Sequence, residues 1–143
     1  MIGVAITTKD RHDLLKKALT YHDKHWHGIG ALIVVDDGSE TPVQLPDWVG
    51  AVKPKLIRHE QSMGISAAKN RCLEALMAEP NCDHFFLFDD DSWPICDGWH
   101  QPYTTSPEPH LQANYAPAVS RWNQLWEIYR TPRLVAHHCG RGH

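Results

Sequence analysis

Three short apolar runs, each ending in oxygen-bearing side chains, restrict the fold of this chain more than any other feature. They are IGVAITT at residues 2–8, ALIVVDDGS at 31–39 and HFFLFDD at 84–90. A strand with one wet face alternates apolar and polar residues. These runs do not, and their continuous β-branched and aromatic character fits strands buried on both faces. KLIRHE at 55–60 reads as a further strand. Helical spacing occupies the stretches between them. In KDRHDLLKKALTYHDKH (9–25), Leu14, Leu15, Ala18, Leu19 and His22 share a face, with Asp10 as N-cap and Asp13 completing a capping-box-like start. In GISAAKNRCLEALMAEP (64–80), Ile65, Ala68, Cys72 and Leu76 line one face and Pro80 ends the helix. Buried strands alternating with helices predict an α/β domain of Rossmann-like type. Its sheet is mostly parallel, joined by right-handed crossovers and covered by helices on both faces.

In such sheets ligands bind beyond the carboxyl ends of the strands, near the point where strand order reverses. Thr7-Thr8, Asp36-Asp37 and Asp89-Asp90-Asp91 all fall at that edge. The segment FFLFDDDSWP (85–94) runs a buried-type strand into three adjacent carboxylates. Each close like-charge pair costs a few kcal/mol at an effective dielectric of about 20. Solvation, protonation of one member or a bound cation relieves that cost. Because the strand pins the first carboxylate to the sheet edge, a cation is the expected solution. Hard oxygen ligands without a cysteine partner favour Mg²⁺ or Mn²⁺ over zinc, shared with the diphosphate of a ligand. DDGSE is not GxGxxG, and no GxxxxGK[ST] occurs, which excludes the common dinucleotide and P-loop signatures.

At 143 residues the length fits one domain, and 42% apolar with 22% charged residues is ordinary for a globular protein. A formal charge of −3 gives no basic footprint for duplex nucleic acid. Cys72, Cys82, Cys96 and Cys139 are scattered without a CxxC pair, as expected of reduced thiols. No apolar run is long enough to span a membrane and no secretory leader is evident, so the expected location is cytoplasmic.

Beyond residue 100 the character changes. QPYTTSPEPHLQANYAP (101–117) reads as an extended Pro-rich loop. SRWNQLWEIYR (120–130) reads as one short helix carrying Trp122, Leu125, Trp126 and Tyr129 on a face, and LVAHHCGRGH (134–143) as a strand with a Gly-rich ending. The expected organisation is therefore a ligand-binding half over 1–100 and a partial second segment of the same domain over 101–143. His22, His25 and His27 have a polar helix end facing the negative dipole as their plain reading and a soft divalent metal site as the functional one. His137, His138, Cys139 and His143 form a second group able to hold a soft metal. Trp93 and Trp99 flank the acidic loop, with core packing as their plain reading and ring stacking as the functional one.

Taken together, VAITTKDRHDLLKKAL, LIVVDDGSE, HEQSMGISAAKNRCLEAL and FFLFDDDSWP resemble the nucleotide-binding half of a GT-A glycosyltransferase. They are most similar to the large family-2 type, whose vDDgS, N-x-G-x-x-x-A-R-N and DxD segments occur in this order. The resemblance covers roughly residues 2–100. It implies metal-dependent transfer of a sugar from a nucleoside diphosphate sugar, a UDP-sugar foremost, to an acceptor, of the hexosyltransferase type and with inversion. Carried over by position, Thr7, Thr8 and Lys9 line the base pocket. Asp37 accepts the N3–H of uracil, and Asp36 supports the turn. Lys69 replaces the usual arginine near base or phosphates. Asp89 faces the ribose, Asp91 holds the Mn²⁺ or Mg²⁺ that bridges the phosphates, and Asp90 lies between them. His138 or His143 would add a downstream ligand to the metal. Set against the family, the acceptor-binding half is expected to be short or missing within these 143 residues. Glu108 and Glu127 are the carboxylates that follow Asp97, and neither stands in a base motif. The alternatives are a non-catalytic nucleotide-sugar-binding module or truncated fragment, and a sugar nucleotidyltransferase disfavoured by the lack of a glycine-rich first loop.

Overall fold

The computed structural model describes residues 1–47 and 50–105 in full, and residues 127–131 and 134–137 as backbone strands. The chain forms two units, Met1–Trp93 and Pro94–His143. The first contains strand β1 (Ile2–Thr8), helix α1 (His12–Lys24), strands β2 (Ile29–Asp37) and β3 (Lys55–His59), helix α2 (Ile65–Met77) and strand β4 (His84–Asp89). The four strands pair in the order β3-β2-β1-β4, all parallel. All seven residues of β1 are buried, as the continuous apolar run requires.

The pleat sorts side chains between two helical layers. Ala5, Ala31, Ile33 and Val35 point to one face and pack with Ala68, Cys72 and Leu76 of α2. Residues of opposite parity, Val4, Ile6, Leu32 and Val34, point to the other face and are also buried. There α1 supplies buried Leu15, Ala18, Leu19 and His22, and His22 meets Phe88 of β4 edge-on at 4.7 Å. Burial, with help from His25, lowers the His22 pKa to about 3, so this ring is a neutral core residue. His22 and His25 are both buried, which replaces the expected polar helix end with packing. Cys72 is likewise a core thiol, pushed up to about 11 by burial.

Other local expectations change for physical reasons. Asp10 does not cap α1, whose N-cap is Arg11 without a side-chain cap bond. Asp10 instead adopts a left-handed backbone (φ 52°), accepts the Glu40 N–H at 2.7 Å and donates its own N–H to Ser39 Oγ at 2.8 Å. It therefore ties the β1–α1 loop to the turn after β2. Ile65 is 68% exposed at the first position of α2, too far toward the sheet edge to reach the core. β4 is an outer strand of the four-stranded sheet. Phe85 and Leu87 are 39% and 38% exposed, so β4 is not the fully buried strand that its sequence suggests.

In the second unit, helix α3 (Gln101–Thr104) makes one turn where an extended loop was expected, with Pro102 tolerated in its first turn. Strands β5 (Glu127–Thr131) and β6 (Leu134–His137) pair antiparallel. Residues 127–130 are thus strand rather than the end of a helix, whereas the strand expected at 134 is present. Expectations for Trp122, Leu125, Trp126, Glu108, His138, Cys139 and His143 lie outside the described residues. Among the described residues no helix is long and apolar enough to cross a membrane.

Candidate functional site

The strand order reverses at β1, which pairs with β2 on one side and β4 on the other. The crevice outside such a reversal is the natural ligand position in a parallel sheet. In register, Thr7 stands beside Asp89, Thr8 beside Asp36, and Asp37 beside His59. Because successive residues face opposite ways, each run of aspartates is split between the two sides of the sheet.

At the reversal, the threonines after β1 meet the acids after β4. Thr7 Oγ1 donates to Asp89 Oδ1 at 3.2 Å, and Thr8 Oγ1 donates to Asp90 Oδ2 at 2.8 Å. Lys69, from the second turn of α2, lies 2.7 Å from Asp89 Oδ1 and donates to the Phe88 carbonyl at 2.8 Å. Arg11 bridges the other two acids, 2.9 Å from Asp90 Oδ1 and 3.2 Å from Asp91 Oδ2. Two cations from the protein itself therefore offset the three carboxylates.

Their protonation tendencies diverge accordingly. Burial alone would raise the Asp89 pKa, but Lys69 and Thr7, with Arg11 adding, bring it below the ordinary value. Asp90, whose side chain is only 3% exposed, is raised by burial and by the adjacent Asp91 and Asp89, against the opposing effects of Thr8 and Arg11. Beyond these acids, Trp93 stacks on Tyr21 with ring centres 5.5 Å apart, and Lys17 Nζ lies 4.9 Å from its ring centre. That is the packing reading of Trp93, and it fastens the end of the acidic turn to α1.

The aspartates after β2 serve two separate networks. Asp36 is fully buried; it accepts the N–H groups of Ser39 (3.0 Å) and Val43 (3.2 Å) and pairs with Arg58 at 2.5 Å. Burial opposes its ionisation, and these bonds outweigh burial to lower its pKa. Asp37 accepts four bonds. Oδ1 takes His59 Nδ1 at 2.7 Å and Met63 N–H at 2.9 Å, while Oδ2 takes Ser62 Oγ at 2.9 Å and Gly64 N–H at 3.0 Å. Burial again opposes, yet the four donors lower its pKa to about 2. Gly38, at φ 69°, lets the chain turn tightly against this loop: a Cβ there would lie 2.4 Å from Ser62 N.

The structure thus brings Thr7, Thr8, Lys69, Asp89, Asp90 and Asp91 together, keeps Asp36 and Asp37 in neighbouring networks, and leaves Lys9 exposed on the turn after β1. Arg11, Arg58, His59 and Ser62 went unrecognised in the sequence. Arg11 had a signal, as a cation just beyond a strand that ends at the ligand edge; the other three become visible only once β3 is paired with β2. An open depression of about 310 Å³ on α2, lined by Ile65, Ser66, Lys69 and Asn70, adjoins the Lys69–Asp89 pair.

Among the described residues no three His, Cys, Asp or Glu side chains form a cation cage. The donor set fits a different kind of site. Mg²⁺ or Mn²⁺ is commonly held by one or two carboxylates together with phosphate oxygens and waters. Asp89 and Asp91, with side chains 53% and 52% exposed, present such carboxylates at the crevice.

Over 114 residues, 73% of its length, the chain is 34% identical to an uncharacterized glycosyltransferase of Acanthamoeba polyphaga mimivirus. The chain spans 43% of that protein. No protein-family model matches the sequence, and no solved structure matches it significantly. The similarity supports a glycosyltransferase relationship at a general level.

Proposed function

We propose that this chain is the donor-binding part of a glycosyltransferase, which takes a nucleoside diphosphate sugar, a UDP-sugar, and passes its sugar to an acceptor hydroxyl with inversion. The observation that carries this reading is the convergence of Thr7, Thr8, Arg11 and Lys69 on Asp89–Asp91 where strand order reverses. The similarity to a named glycosyltransferase supports the same reaction class.

The chemistry suits the residues. A departing nucleoside diphosphate gains negative charge, which preorganised cations stabilise. Arg11 and Lys69 are such cations at the crevice. Asp91 and Asp89 would hold Mn²⁺ or Mg²⁺, which when bound supplies Lewis-acid stabilisation of the phosphates. Thr7 and Thr8 keep the acids aimed and Trp93 anchors the turn. The free thiols Cys72 and Cys82 accord with a reducing, cytoplasmic setting.

Calorimetry with UDP, with and without Mn²⁺, tests the reading, together with slow hydrolysis of a UDP-sugar in the absence of acceptor. Metal-dependent UDP binding with hydrolysis supports a transferase. Release of pyrophosphate from a nucleoside triphosphate and a sugar phosphate would replace it with a nucleotidyltransferase.

A further inference from the structure

A carboxylate has room for about four hydrogen bonds, and Asp37 already accepts four from within the protein. It is 6% exposed. A base N–H seeking this carboxylate would have to displace one of the donors that hold the loop between β3 and α2. The acceptor for the base is therefore sought next to Asp37.

His59 pairs with Asp37 in the β2–β3 register, with its Nδ1 2.7 Å from Asp37 Oδ1. An ionised carboxylate only accepts, so Nδ1 carries the hydrogen. In the neutral ring Nε2 then holds the lone pair and is an acceptor. Among the described residues Nε2 makes no hydrogen bond, and the side chain keeps 12% exposure. The aspartate thus fixes the tautomer of the neutral ring and leaves Nε2 as its acceptor, on the last residue of β3 at the carboxyl edge.

The position suits a nucleotide. By strand register and parity, His59, Asp37, Thr7 and Asp89 share the α2 side of the carboxyl edge. From β3 to β4 there are three strand spacings of about 4.8 Å, roughly 14 Å in all. An extended nucleoside diphosphate covers a similar distance, with its phosphates at Asp89 and Lys69 and its base toward β3.

We propose that His59 Nε2 accepts the imide N–H of the donor's base and so selects uracil over cytosine. The N3 of cytosine carries no hydrogen and would oppose Nε2 lone pair to lone pair, a repulsive element of the kind that builds specificity. This inference rests on the donor-site reading above.

The test is calorimetry of UDP, CDP and N3-methyl-UDP, each with Mn²⁺, on the wild type, His59→Phe and Ser62→Ala. The wild type is expected to bind UDP about tenfold more tightly than either analogue, the value of one well-placed hydrogen bond. His59→Phe brings the three within about twofold. Ser62→Ala removes one donor from Asp37 without touching Nε2, and keeps the UDP preference. A UDP preference that survives in His59→Phe, or that disappears equally in Ser62→Ala, overturns the inference, as does a wild type indifferent to the base. A wild type that binds none of the three removes the donor-site reading and the inference with it. Should His59→Phe not fold, imidazole ¹⁵N spectra of the wild type decide: UDP is expected to shift the His59 Nε2 resonance and N3-methyl-UDP is not. Equal shifts count against the assignment.

Discussion

The half-exposed guanidinium of Arg11 lies 2.9 Å from Oδ1 of Asp90, a carboxylate with only 3% of its side chain exposed. This pair answers the electrostatic problem posed by three consecutive aspartates. Adjacent like charges and burial both work against an ionised Asp90; Arg11 and Thr8 work for it. A resident cation thus helps hold the acidic turn in shape.

Removing that cation strands a buried acid. Arg11→Met is expected to cost about 1–3 kcal/mol, less than a fully buried pair because Arg11 is half exposed. Asp90→Asn in the same background should restore most of the loss. Urea unfolding of the two variants checks this, and an additive double mutant would mean that the pair contributes nothing.

Asp91 is 52% exposed and pairs with Arg11 at 3.2 Å. Asp91→Ala should leave unfolding within about 0.5 kcal/mol of wild type while removing the metal-dependent part of UDP binding. Calorimetry with and without Mn²⁺ reads this directly. Unchanged metal dependence moves the cation elsewhere.

Asp37 makes stability pH-dependent. Its folded pKa is about 2, below the ordinary 3.8, so its contribution is complete above pH 4 and is lost as pH falls through 2. Integrated over that window the loss is about 2 kcal/mol. Asp36, shifted in the same direction, steepens the decline. Urea midpoints measured from pH 5 to pH 2 should fall, with a shallower slope in Asp37→Asn. That variant should also be less stable at neutral pH, because one amide oxygen cannot satisfy four donors.

Two glycines with positive φ separate crowding from backbone strain. A Cβ at Gly38 would press on the backbone of Gln61 and Ser62, whereas at Gly64 (φ 92°) it would meet nothing within 4 Å. Gly64, at φ 92° and ψ 165°, lies in a region kept to glycine, so Gly64→Ala is expected to cost about 1–3 kcal/mol from conformation alone. Gly38→Ala should cost more than Gly64→Ala, since it adds a clash with backbone that cannot yield cheaply. Thermal unfolding ranks the two, and equal losses would refute the crowding argument.

Much of the architecture could be read in the chain itself. The continuous runs at 2–8 and 31–37 specify buried strands, the run at 84–89 specifies a further strand, and the periodic faces Leu15–Ala18–Leu19 and Ala68–Cys72–Leu76 specify two covering helices, because periodicity is a local property. They also dictate that the oxygen-rich ends gather on one edge. Local pattern misled at Asp10, whose partners lie 29 and 30 residues away, and at Phe85 and Leu87, whose exposure depends on which strand is outermost.

The chain alone thus determined a parallel α/β layer with an acidic carboxyl edge. Tertiary structure decided what each acid does. Asp36 and Asp37 are neighbours in sequence, yet the pleat turns them to opposite faces, one to Arg58 and the other to His59, each 22 residues distant. Thr8 and Asp90 meet across 82 residues for the same reason: strand order, which no local pattern encodes, sets which ends lie side by side.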